Sequence, residues 1–118
     1  IMANPPFSQK TWRAENELKD DLRWAGYETP PTSNANYGWI LNIVSKLSFN
    51  GTAGFLFANG ALSGDGTELA IRRQLLQNKL VEAIVILPRN MFYSTDISVT
   101  LWILNNTRML APWSRTAR

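Results

Sequence analysis

Cysteine and histidine are both missing from the 118 residues. Together the two absences exclude disulfide frameworks, thiolate nucleophiles, imidazole general bases and the usual zinc ligand sets, so no metal site is expected. Charge is sparse, 18% of residues against 45% hydrophobic. No apolar stretch approaches the roughly 18 residues needed to cross a bilayer, so the composition is that of a soluble globular domain without a membrane anchor. The chain also lacks a positively charged leader followed by a short apolar run. It opens on Ile1, directly in what reads as strand, so its N-terminus is read as cut. The length allows one domain with a real core, or part of one, and is short for a complete two-layer nucleotide-using enzyme.

What charge there is sums to +3, with a pI near 9.6. That excess is compatible with a nucleic-acid partner and is equally ordinary for a cytoplasmic domain. Three of the 12 basic residues, Arg108, Arg115 and Arg118, sit at the very end of the chain. The remainder is therefore closer to neutral than the total, and charge alone does not identify DNA.

Hydrophobic patterning divides the chain into elements. Ile1 to Ala3 is a strand stub that runs into Asn4-Pro5-Pro6-Phe7, where two prolines exclude helix interior and central strand. Ser8 to Asn34 is polar and long, with Trp12, Trp24 and a second proline pair, Pro30-Pro31. It reads as a lid or binding loop holding at most a helical turn, or as simple disorder. Tyr37, Ile40, Leu41, Val44 and Leu47 carry helical spacing and predict a helix over about Asn36 to Ser48. Ala53 to Ala58 is a continuous apolar run, as for a strand covered on both faces. The turn cluster Ser63 to Thr67 leads into a helix, Glu68 to Gln77, expected to bury Leu69, Ile71, Leu75 and Leu76 and to stop at Asn78. Val81 to Leu87 predicts a second buried strand, halted by Pro88. Ile97 to Leu104 predicts a third, antiparallel beside it because Arg89 to Asp96 leaves no room for a crossover helix. Met109 to Arg118 shows no period. The order is that of the closing half of a doubly wound α/β sheet.

The chemistry concentrates in Asn4-Pro5-Pro6-Phe7. Such a tetrapeptide arises by chance in a chain of this size on the order of once in a thousand. It also sits at the carboxyl end of a strand, the edge of an open α/β sheet where ligands bind. Each proline fixes its own φ and pushes the preceding residue into an extended conformation, so Asn4 and the Pro5 carbonyl are held in place. An exocyclic amine has two hydrogens to donate and a lone pair delocalised into its ring. Two acceptors, the Asn4 side-chain oxygen and the Pro5 carbonyl, would orient that lone pair and stabilise positive charge developing on nitrogen. Phe7 offers a face for a base flipped out of a duplex. The competing role is structural: a proline pair that breaks a sheet, with Asn4 as turn former and Phe7 as core.

Several segments together resemble the methylation subunit of type I restriction-modification systems. They are Met2 to Ser8, Ser33 to Tyr37, Asn59-Gly60-Ala61-Leu62, Ile71 to Leu76 and Leu87-Pro88-Arg89-Asn90-Met91-Phe92-Tyr93-Ser94-Thr95-Asp96-Ile97, in family order from Ile1 to about Thr107. The resemblance implies an α/β fold, the C-terminal half of a Rossmann-like S-adenosylmethionine-dependent methyltransferase sheet ending in an antiparallel strand pair. It implies N6 methylation of adenine in DNA, with Asn4, Pro5, Pro6 and Phe7 as the catalytic motif and Asn4 at the edge of the donor site. The implied partners are DNA, a specificity subunit, a restriction subunit and a second methylation subunit, and the implied compartment is the cytoplasm.

Residues 1–107 are then a partial catalytic domain beginning at the motif, and 108–118 a tail outside the family pattern, as a truncation, frameshift or fragment boundary would produce. The glycine-rich turn that holds most of the S-adenosylmethionine lies upstream of the motif in this family, and nothing here resembles it. The chain alone is expected to bind the donor poorly or not at all.

Four further positions and an arginine pair carry weaker expectations. Phe92 and Tyr93, between the last two strands, would wall the target-base pocket or pack on the sheet. Asn34 and Asn36 would contact DNA or the motif loop, or cap a helix. Arg72 and Arg73 read as a solvated helix face, with phosphate contact as the alternative. The same motif logic serves enzymes that methylate RNA guanine or the side-chain amide of glutamine. A catalytically inert remnant acting as an interaction unit is the reading from a different class.

Overall fold

The computed structural model describes residues 1–88 and 98–106. Within them the chain runs β1 (Met2–Ala3), a 3-10 turn at Leu22–Trp24, α1 (Asn36–Lys46), β2 (Thr52–Ala58), a second 3-10 turn at Asn59–Leu62, α2 (Thr67–Gln77), β3 (Val81–Ile86) and β4 (Val99–Asn105). The expected loop Arg89 to Asp96 and the tail from Met109 lie outside the described residues.

The four strands form one mixed sheet in the order β1-β2-β4-β3. β1 lies parallel to β2, with Met2 opposite Gly54 and Ala3 opposite Phe55. β4 runs antiparallel to β3, as its short connection demands, and is also paired along its whole length with β2, from Thr52 opposite Asn105 to Ala58 opposite Val99. The last strand thus inserts backwards between two strands that share a direction.

Both crossovers, β1 to β2 through α1 and β2 to β3 through α2, step the same way along the sheet. Right-handed connections then put both helices on one face. The packing shows this: Tyr37, Ile40, Leu41 and Ile43 of α1 and Ile71 and Leu75 of α2 share one core with Ala53, Phe55, Phe57, Trp102 and Leu104 of the sheet. Trp102 is the centre of that layer, stacked on Phe55 at 5.8 Å and meeting Phe57 and Tyr37 edge-on at 6.3 and 6.2 Å.

The one-sided layering corrects two expectations. Among the described residues β2 is covered on one face: Ala53, Phe55 and Phe57 are buried while Gly54, Leu56 and Ala58 are only half-buried. β3 is not a buried strand either, because β4 takes the inner position and leaves β3 at the sheet edge, with Ile84, Val85 and Ile86 exposed. A continuous apolar run looks the same in sequence whether one face is covered or two.

α1 keeps the predicted start and ends two residues early, at Lys46. α2 stops as expected, with Asn78 as the cap and Lys79 in the left-handed region at φ 57°. There the Leu80 N–H donates to the Leu75 carbonyl and the Lys79 N–H to Leu76, a Schellman closure that also buries Leu80. On α2, Ile71 and Leu75 face the core, whereas Leu69 is half-buried and Leu76 is exposed. Leu76 follows Leu75 by about 100° around the helix, which turns it off the core stripe.

Disorder between Ser8 and Asn34 is overturned. Trp24 is buried in the core cluster and its indole N–H donates to the Leu18 carbonyl. Trp12 donates to the Pro31 carbonyl at 2.7 Å and meets Trp24 edge-on. The Trp12 ring lies so close to α1 that a Cβ at Gly38 would stand 2.9 Å from it.

Two stability outcomes follow. Trp102→Ala removes the ring at the centre of the aromatic layer and is expected to cost roughly 3–5 kcal/mol, read from urea unfolding. Burial pushes the Tyr37 hydroxyl from 10.0 up to about 12, despite the lowering effect of Arg72. A raised value favours the neutral form in the fold, so this stabilisation is whole below pH 10 and is lost as pH rises towards about 12. Tyr37→Phe should flatten that alkaline loss while lowering stability at neutral pH, since the Ala61 carbonyl loses its donor.

Candidate active site

Asn4, Pro5, Pro6 and Phe7 leave the carboxyl end of β1, beside the parallel carboxyl end of β2. Pro5 is buried and anchors the turn, Asn4 and Pro6 are exposed, and Phe7 is half-buried. Among the described residues, neither the Asn4 side chain nor the Pro5 carbonyl has a hydrogen-bond partner. Asn4 also stands at the rim of an open hollow of about 380 Å³ over the uncovered sheet face, between Met2, Gly54, Leu56 and Leu101. Among the described residues nothing claims either oxygen, and Asn4 is exposed.

Phe7 packs one side against the core, its ring 6.4 Å from Phe57 and tilted by 39°. The chain then reverses sharply at Ser8, which sits in the left-handed region at φ 51°. Two contacts hold that reversal against the start of α1. The Ser8 N–H donates to Asn36 Oδ1 at 2.9 Å, and the Ala35 N–H donates to the Gln9 carbonyl at 2.9 Å.

The asparagine pair thus divides its labour. Asn34 Oδ1 accepts the Asn36 N–H at 2.8 Å and satisfies one of the open donors of α1. Asn36 is buried and reaches the motif loop rather than capping its own helix. Tyr37 next to it donates its hydroxyl to the Ala61 carbonyl, just past β2, and accepts from Arg72 at 3.4 Å. Arg72 is consequently half-buried and engaged, while Arg73 is exposed. Phe92 and Tyr93 lie outside the described residues.

Two features carried no readable signal in sequence. Asn59, at the carboxyl end of β2, keeps a buried Oδ1 without a hydrogen-bond partner among the described residues; its segment is part of the resemblance, but nothing in the sequence marks that atom. A hollow of about 470 Å³ opens beyond the motif between Gln9, Trp12, Arg23, Trp24, Trp39 and Asn42. Arg23 there is committed to Asp21 through two contacts of 2.8 Å, which hold the Asp21 carboxyl down at about 2.

Solved structures share this fold. The type I restriction-modification methyltransferase subunit of Streptococcus thermophilus superposes with a TM-score of 0.80 at 31% identity, over 87% of this chain and 22% of that one. A modification subunit of a putative type I restriction enzyme from Vibrio vulnificus does so with a TM-score of 0.70 at 25% identity, over 91% and 22%. A reversed strand between parallel neighbours, with a proline-braced amide at the sheet's carboxyl edge, defines the closing half of a Rossmann-like methyltransferase sheet.

Within that class the chain belongs to the N-6 DNA methylase family, whose model matches residues 1–113. It is 43% identical over 109 residues to the HindI type I restriction enzyme methylase subunit of Haemophilus influenzae, covering 92% of this chain and 24% of the relative. To the MjaIX methylase subunit of Methanocaldococcus jannaschii it is 39% identical over 112 residues, 92% of this chain and 20% of the relative. The chain thus spans between a fifth and a quarter of the length of these relatives.

Replacing the Asn34 acceptor by Asn34→Ala should destabilise α1 by about 1 kcal/mol. A fall in the thermal midpoint with an unchanged fold would show the cap at work.

Proposed function

We propose that the chain is the part of a type I methylase subunit that carries the catalytic corner, and that the corner methylates N6 of adenine in DNA. The observation that supports this most directly is a pair of acceptors at the end of β1, the exposed Asn4 side chain and the Pro5 carbonyl, that no other described residue claims. Residues 1–107 are the portion of the catalytic domain that begins at the motif.

The corner acts through hydrogen bonds alone. Asn4 Oδ1 and the Pro5 oxygen each accept one hydrogen of the amino group, which turns the nitrogen lone pair away from the ring and towards the methyl donor. The same two dipoles stabilise positive charge as it builds on nitrogen. Pro5 and Pro6 fix the backbone in advance, so little reorganisation is needed at the moment of transfer. The exposed part of Phe7 stacks on the flipped adenine, while its buried side rests on Phe57.

The N-6 DNA methylase family uses S-adenosylmethionine, which when bound supplies an electrophilic methyl group. Asn4, exposed at the sheet's carboxyl edge, fits the methyl-bearing end of that donor. None of the other described residues forms the glycine-rich cradle that its nucleotide end requires.

In this reading the assembled enzyme works on DNA in the cytoplasm with a specificity subunit, a second methylation subunit and, for cleavage, a restriction subunit. The same reading assigns Phe92 and Tyr93, which lie outside the described residues, a role at the target base. Asn34 contributes by accepting the Asn36 N–H at the start of α1, and contact of Asn34 and Asn36 with DNA is part of the same reading.

The test is methyl transfer from labelled S-adenosylmethionine by the methylase–specificity complex containing this chain. Label should appear in DNA as N6-methyladenine. Asn4→Ala should reduce kcat by a factor of roughly 100 or more, and Phe7→Ala should weaken capture of the flipped base. Label in RNA guanine or in protein glutamine, with none in DNA, would reassign the substrate; no label anywhere would support an inert unit.

A further inference from the structure

The proline braces act on Asn4 and Pro5, but nothing in the motif itself fixes the backbone on the far side of Phe7. That backbone depends on Ser8, whose φ of 51° is one that residues other than glycine seldom adopt. The conformation persists only if something outside the motif holds it. Asn36 supplies the hold. It is one of two buried polar residues among those described, 3% exposed, and its Oδ1 takes the Ser8 N–H at 2.9 Å.

A buried amide at the first residue of a helix is expensive unless its oxygen is used, and here the use is a contact 28 positions back in sequence. Its own N–H is fixed by Asn34, and its neighbour Tyr37 is fully buried and tied to Ala61 at the end of β2. The carboxyl ends of β1 and β2 are therefore joined by one line of contacts, Ser8–Asn36–Tyr37–Ala61.

We propose that Asn36 is a positioning residue for methyl transfer: by holding Ser8 in its left-handed turn it sets where the Phe7 ring and the Pro5 carbonyl stand relative to the target amine. The assignment rests on the corner being an amino-methyltransferase site. Asn36 touches neither adenine nor donor in this scheme, so its loss should appear in kcat and leave the binding constants in place. Asp at this position keeps an oxygen for Ser8 and suits a helix N-terminus electrostatically; Leu keeps the volume and loses the acceptor.

The experiment uses the methylase–specificity complex with two cognate duplexes, one with adenine at the target position for the rate and one with 2-aminopurine there, which lacks the 6-amino group and reports base stacking alone. Asn36→Leu should lower kcat roughly 10- to 100-fold with KM for S-adenosylmethionine and Kd for DNA unchanged, and should alter the stacked-base fluorescence. Asn36→Asp should retain most of the rate. Adding Ser8→Gly to Asn36→Leu should recover part of it, because glycine holds a positive φ without strain. If Asn36→Leu does not fold, Asn36→Ala with and without Ser8→Gly gives the same comparison.

Wild-type kcat in the folded acceptor-free variant, or a loss that neither Asp nor Ser8→Gly relieves, overturns the positioning role. A wild-type complex that methylates no DNA adenine instead overturns the functional reading beneath it.

Discussion

The geometry of the corner depends on how two residues lie against β2. Met2 and Ala3 pair in parallel with Gly54 and Phe55, and the Gly54 N–H donates to the Ile1 carbonyl at 2.8 Å. That pairing fixes the direction in which the chain meets Pro5, and hence which edge of the sheet receives Asn4. A shift of one residue would exchange the two faces of the strand, sending Met2 into the helix-covered layer and Ala3 out of it. β2 can impose this register because it is itself locked along seven positions against β4. The aromatic layer of Phe55, Phe57 and Trp102 then keeps the pair from sliding.

The two buried polar residues among those described, Asn36 and Thr100, both connect elements, and so does the buried Tyr37. Asn36 joins the start of α1 to the motif, and Thr100 joins β4 to β2 by donating to the Phe57 carbonyl while accepting from the Trp102 indole. Tyr37 spans from α1 to the turn after β2 and receives Arg72 from α2. Each costs desolvation and recovers it through contacts that apolar packing cannot make directional. The ends of β1 and β2 are where these directional contacts gather.

Much of the architecture was readable from periodicity. α1 starts where the Tyr37, Ile40, Leu41 stripe begins, α2 ends at Asn78, and β3 and β4 pair in the only orientation their short connection permits. The misreadings share a cause. Apolar runs at Ala53 to Ala58 and Val81 to Leu87 report that a strand is hydrophobic, whereas coverage depends on where the crossovers go and which strand takes the middle position. Leu76 was misassigned because neighbouring leucines on a helix differ by about 100° in direction, a difference that amino-acid type does not record.

At the site, the tetrapeptide Asn4 to Phe7 and the rigidity of its turn follow from the sequence, because proline writes its backbone constraint into the residue itself. The sequence likewise determined the order of elements and the family resemblance. Only the tertiary structure decided that Asn36 serves the motif while Asn34 caps the helix, that Arg72 is engaged and Arg73 free to solvent, and that the loop through Trp12 and Trp24 is packed. Covalent constraint and local spacing are carried by the residues one after another. A hydrogen bond between positions 8 and 36 exists only after a sheet and a helix have brought them within 2.9 Å.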